Sequence, residues 1–221
     1  MNKSTTMNSS TTVSSSTIVL FERLWRGSGL QFVLFFVIAY AISGGDRTRI
    51  LIATPIFGYA ILNLLWFAAA IRSTLHEAGQ GGWGAAATAS SAAFGGIYWV
   101  VLAISAALAY SSADSGNNTV ASGLNDLVWA GIVITSFPRA MLIMAGTLGL
   151  WRAGIISNGL FAAGVAAIIL VLLGGTTWMS SGLWAPDGAY SRLISPIIGI
   201  VWIFVVSRII LTRGPSTREG W

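Results

Sequence analysis

Gly27-Ser-Gly-Leu-Gln-Phe-Val-Leu-Phe-Phe-Val-Ile-Ala-Tyr-Ala-Ile-Ser-Gly-Gly45 runs from one charged residue, Arg26, to the next, Asp46. A helix that crosses a bilayer needs about 20 mostly apolar residues, and this stretch has that length. Its centre, Phe32 to Tyr40, is continuously apolar, whereas a membrane β-strand alternates apolar and polar residues over about 10 positions. Within hydrocarbon, a continuous run satisfies its own backbone N–H and C=O groups only as a helix. The stretch therefore predicts a transmembrane helix, and charge-free runs of the same kind recur along the chain.

Working outward, the charged residues punctuate the sequence. Spans are predicted at about 27–45, 50–71, 83–110, 127–151, 153–179 and 193–211, with a polar loop from Ser111 to Asn125 and a Gly/Pro-containing loop from Ser180 to Arg192. The chain has 221 residues, 55% hydrophobic and only 9% charged, where a soluble domain carries about 25% charged. The expected fold is all-α, an integral membrane bundle of six transmembrane helices forming one domain over residues 18–213, with no room for a soluble one. Residues 1–17 form a Ser/Thr-rich run without apolar periodicity and are expected to be disordered. Residues 18–26 place Leu20, Phe21, Leu24 and Trp25 on one helical face, which fits either an interfacial helix or an early start of the first span. Residues 214–221 form a short tail.

Lys and Arg set the orientation. With the N-terminus inside, Lys3, Arg23, Arg26, Arg72, Arg152, Arg208, Arg213 and Arg218 face the cytoplasm, eight in all, against three outside, Arg47, Arg49 and Arg192. Both termini are expected to be cytoplasmic, in a bacterial inner membrane. The net charge of +5 is then a topology signal, and no basic run of the kind that tracks nucleic-acid phosphates is present.

Helices in lipid associate through small residues. Ala85, Ala89 and Ala93 of the third span, and Gly159, Ala163 and Ala167 of the fifth, recur at i,i+4. They mark these spans as the expected centre of the bundle, with the first and sixth facing lipid. The same stripes would serve a homo-oligomer or a partner membrane protein. Trp25, Trp83 and Trp151 on one side, and Trp129, Trp178 and Trp184 on the other, fit an interfacial aromatic belt.

The absences narrow the chemistry. There is no Cys, one His and one Lys, Lys3, which removes thiolate chemistry, paired-histidine metal sites and a Schiff base within the bundle. His76-Glu77 lacks the second histidine of a one-helix zinc site. No Asp or Glu falls mid-span, where proton-coupled transporters place them. No cofactor, metal or catalytic residue is expected.

One cation does fall mid-span. Arg139, in Thr135-Ser-Phe-Pro-Arg-Ala140, costs roughly 2.5–3.5 kcal/mol to insert at a helix centre and does not usefully deprotonate. It must snorkel, pair inside the bundle with carbonyls or with Asn63, Ser136 or a tyrosine hydroxyl, or face a wet cavity or an anionic ligand. Pro138 frees a carbonyl in the preceding turn, and Pro55 gives the second span a similar potential kink. The expected site is an outward-opening pocket between the second and fourth spans, with Arg139 at its floor, Ser136 and Asn63 beside it, and Asp46, Asp126 and Asp187 at its rim.

Phe137-Pro-Arg139 and Gly149-Leu-Trp-Arg-Ala-Gly-Ile-Ile156, followed by a Gly/Ala-rich span and a last apolar helix ending in Arg, resemble uncharacterised bacterial multi-pass membrane proteins. The likeness covers about the last 90 residues. It implies a bacterial inner-membrane helical bundle and carries over no functional residue. The leading functional expectation is a non-enzymatic module that binds lipid, a small amphiphile or a partner membrane protein. The alternative is a small transporter or channel subunit with a polar pocket around Arg139.

Overall fold

The structure, a computed structural model, describes residues 25–44, 46–111 and 118–212. The expectations for residues 1–17, for most of 18–26 and for 214–221 lie outside these. Among the described residues every regular element is helical: α1 (Ser28–Ser43), α2 (Arg47–Glu77), α3 (Gly81–Ser111), α4 (Asn118–Ile134), α5 (Ser136–Arg152), α6 (Asn158–Gly174), a π-helical turn (Tyr190–Ile194) and α7 (Ser195–Thr212). Together they form an apolar helical bundle of the membrane class. Four segments are long and apolar enough to cross a bilayer: α2, α3, α4 with α5, and the π turn with α7. The apolar helices α1 and α6 are shorter, at 16 and 17 residues, or about 25 Å at 1.5 Å per residue.

Local chemistry sets the ends. Asp46 caps α2 by accepting from the Arg49 N–H at 3.0 Å, one of the donors a helix start leaves orphaned. At the other end, Gly79 takes φ +73 and the Gln80 N–H reaches the Leu75 carbonyl at 2.7 Å, a glycine-terminated reversal into α3. Gly154, φ +67, ends α5 in the same way, and Ser157 caps α6. The helix of α4 begins at Asn118, well before the expected start of the fourth span at 127. The fourth span is also divided at Thr135. Pro138 has no N–H to give the Ile134 carbonyl and its ring crowds that oxygen, while the Thr135 hydroxyl turns back onto the Ile132 carbonyl at 2.5 Å. Pro55, by contrast, sits within an uninterrupted α2.

The bundle's centre matches the expected one in part. Ten residues each are buried on α2 and α5, nine on α3, seven on α7 and only three on α6, so the third span is central, the fifth is peripheral, and the last is more buried than a lipid-facing helix. Phe67, Ile61, Leu64, Ile71, Leu75, Leu142, Ile143 and Leu150 fill the core. On α3 the small residues that pack are Gly84, Ala87, Ser91 and Gly95, whereas Ala85, Ala89 and Ala93 face outward. A Cβ on Gly84 would meet the Arg72 backbone at 3.0 Å, so α2 and α3 approach along this register. On α6 it is Gly164 that packs, against Thr147 of α5, while Gly159 and Ala163 are exposed. Small residues recur at i,i+4 in several registers of both spans, and spacing does not distinguish between them.

Candidate functional site

Arg139 lies in the first turn of α5 after the break at Thr135, which brings its side chain between α5 and α7. Its stem passes beside Gly199, where a Cβ would stand 3.0 Å from the Arg139 Cδ. Nη2 donates to the Ser136 hydroxyl and to the Ser195 hydroxyl, each at 3.0 Å. Gly174, at the end of α6, leaves room for both serines, since a Cβ there would lie 2.5 Å from the Ser195 Oγ and 2.8 Å from the Ser136 Oγ. The residue is 9% exposed and its Nε has no hydrogen-bond partner among the described residues. No carboxylate pairs with it among the described residues.

A cavity of about 360 Å³ extends from Arg139 to Ser43, Gly44 and Arg192, at the end of the bundle where α2 begins. Its deep wall is aromatic. Phe36 of α1, Phe57 of α2 and Tyr98 of α3 form a triangle with ring centroids 5.2, 5.9 and 5.8 Å apart, and Phe94 adds a contact to Tyr98 at 5.6 Å. Thr54, Ser105, Trp129 and Thr135 complete the sides. Among the described residues the lining contains no Asp, Glu or His, so it offers cationic and hydroxyl groups but no general base.

The π turn shapes the outer wall. Pro196 cannot donate to the carbonyl of Arg192 four residues earlier, and that carbonyl accepts instead from the Tyr40 hydroxyl at 3.2 Å. This bond ties the end of α1 to the start of the last span. The Ser191 hydroxyl donates to the backbone carbonyl of Pro186 at 2.5 Å, with the Gly188 carbonyl also within reach at 3.2 Å, which holds the 180–189 loop over the turn. At the same end the Arg47 guanidinium donates to the Tyr110 carbonyl at 2.5 Å and sits 5.7 Å from its ring centroid.

Of the residues singled out from sequence, Ser136 touches Arg139 and Asn63 does not. Asn63 donates to the Tyr59 carbonyl of its own helix at 2.9 Å and lies six residues beyond Phe57, about 9 Å further along α2. Asp46, Asp126 and Asp187 are all exposed and none lines the cavity; Asp46 is occupied as the cap of α2. His76 is exposed in the last turn of α2. Of the belt tryptophans, Trp129 lines the cavity, Trp83 lies under Arg152 with 5.6 Å from guanidinium to ring centroid, and Trp151 stacks on Phe161 at 4.5 Å.

Sequence reasoning missed Ser195 and the aromatic wall. The Ser195-Pro196 pair and the one-turn spacing of Phe94 and Tyr98 were the only signals, and neither singles out a cavity. Neither protein-family models, nor curated proteins, nor solved structures give a match to this chain.

Proposed function

We propose that this protein is a non-enzymatic membrane binding module that holds a small amphiphilic molecule in the cavity above Arg139. One observation carries the reading: the cavity ends on a buried guanidinium that no carboxylate pairs with among the described residues. A buried charge without a counter-charge is costly, and a bound molecule would supply what the fold leaves out. Binding is favoured over conduction because the packed centre of the bundle beyond the cavity is occupied by Phe67, Leu75, Ile143 and Leu150, all fully buried. It is favoured over catalysis because the lining pairs no nucleophile with a base.

In this reading the chain crosses a bacterial inner membrane six times, with α1 and α6 as the two short spans and both termini in the cytoplasm. The excess of Arg at the end carrying Arg72, Arg152 and Arg208 supports that orientation, and the likeness of the last 90 residues supports the source. The cavity then opens outward.

A chain without cysteine makes the test direct. Thr54→Cys and Ser105→Cys, both in the lining, should react with a membrane-impermeant thiol reagent added outside sealed cells. Asn63→Cys, outside the cavity, should not. Equal protection of all three positions would overturn the reading.

A further inference from the structure

We propose that the site takes an organic monoanion, a single carboxylate or sulfonate on a compact apolar body, bound with its charge at the deep end against Arg139. The inference rests on the cavity being a binding site and names the class of its occupant. Three independent features point the same way.

The first is charge. Arg139 and Arg192 are the ionised groups in the lining, and no acid accompanies them among the described residues. A cationic ligand would therefore be repelled, whereas an anion would meet uncompensated positive charge in a low-dielectric wall, where such interactions are strongest.

The second is the donor geometry. Both hydrogens of Nη2 are directed to serine hydroxyls, which orient the guanidinium against the cavity that Arg139 lines, while Nε is enclosed without an acceptor among the described residues. Neutral hydroxyls do not neutralise a buried cation, but an oxyanion held in the cavity against Arg139 would. One arginine at this depth matches one negative charge. A phosphate dianion would remain half-compensated.

The third is the polarity gradient. The rings of Phe36, Phe57, Phe94 and Tyr98 surround the deep half of the cavity, so the body that follows the charge is apolar. This places the charged group inward and excludes a bilayer phospholipid, whose headgroup stays at the surface. The ligand arrives instead as a small molecule from the outer end, past Arg192.

Three compounds of equal shape test this on the full chain in lipid nanodiscs by saturation-transfer NMR: 3-phenylpropanoate, its amide, and 3-phenylpropylammonium. The propanoate should bind at least tenfold more tightly than either of the others, and Arg139→Gln should abolish that preference. Ser105→Phe, which fills the cavity away from Arg139, should also remove propanoate binding. Should Arg139→Gln fail to fold, the three compounds against the parent chain and Ser105→Phe still decide. Equal binding of the amide or the ammonium would overturn the charge assignment while leaving the binding site standing. Propanoate binding that survives Ser105→Phe would place it elsewhere and overturn the proposal. Binding of none of the three, together with protected cysteines at positions 54 and 105, would overturn both this inference and the reading beneath it.

Discussion

Nη2 of Arg139 donates to the hydroxyl of Ser195 at 3.0 Å, joining the first turn of α5 to the first residue of α7 across 56 positions of chain. Among the described residues the bond has no carboxylate behind it, so the two serines orient the cation without neutralising it. A charge kept in this state serves a site more readily than it serves the fold.

That distinction is measurable. Removing a hydrogen-bond acceptor from a buried charged donor costs about 2 kcal/mol, so Ser195→Ala should lower unfolding stability by about that amount in mixed micelles of increasing denaturing detergent. Arg139→Met removes the cation at similar volume, and replacing a buried charge by an apolar side chain is often neutral or stabilising. It should be at least as stable as the parent while losing ligand. A loss of more than about 2 kcal/mol would make Arg139 a structural residue.

Gly174 makes room for both serines. A methyl group there would stand within 3 Å of two hydroxyl oxygens, at 2.5 and 2.8 Å, and overpacking of this kind costs typically 1–3 kcal/mol. Gly174→Ala should destabilise the protein by about 2 kcal/mol and weaken ligand binding with it. Gly96→Ala, in a helix position with open space around it, should instead stabilise by roughly 0.5–1 kcal/mol. Equal effects at the two sites would refute the packing assigned to Gly174.

The register of α3 gives a second paired comparison. Ala87 is 0% exposed and Ala89 faces outward. Ala87→Leu should cost about 2 kcal/mol, whereas Ala89→Leu should leave the detergent-unfolding midpoint unchanged. The reverse order would mean that the stripe of Ala85, Ala89 and Ala93 carries the intrachain contact.

Below the cavity, the Trp202 indole N–H donates to the Thr147 hydroxyl at 3.0 Å, within the core. Interhelical hydrogen bonds in membrane bundles contribute about 0.6 kcal/mol each on average. A double-mutant cycle on Trp202→Phe and Thr147→Val should return a coupling of that size, and a coupling near zero would show that the two groups are only adjacent.

Much of the architecture can be read from composition and spacing. Long charge-free runs such as Gly27–Gly45 force helices, because backbone polar groups in lipid have no other partners. Pro138 signalled the division of the fourth span, and the mid-span position of Arg139 signalled a group in need of company. The registers were less legible. Ala85, Ala89 and Ala93 have the same spacing as the residues that pack, and which face a helix turns inward depends on its neighbours. Asn63 illustrates the same limit: as a polar residue within a span it invites pairing with Arg139, yet an amide can satisfy itself on its own helix, and this one does so on the Tyr59 carbonyl.

What the residues dictate on their own is a helical membrane chain with a single deep cation and no acid to match it, since cost in hydrocarbon is a property of each side chain and of its place in a run. What required the folded chain is the company that cation keeps. Ser195 reaches Arg139 from 56 residues away, Gly174 and Gly199 make the space, and rings from α1, α2 and α3 close the wall. Such contacts depend on how helices rotate and cross, which small differences in packing select, and no periodicity along the chain encodes that choice.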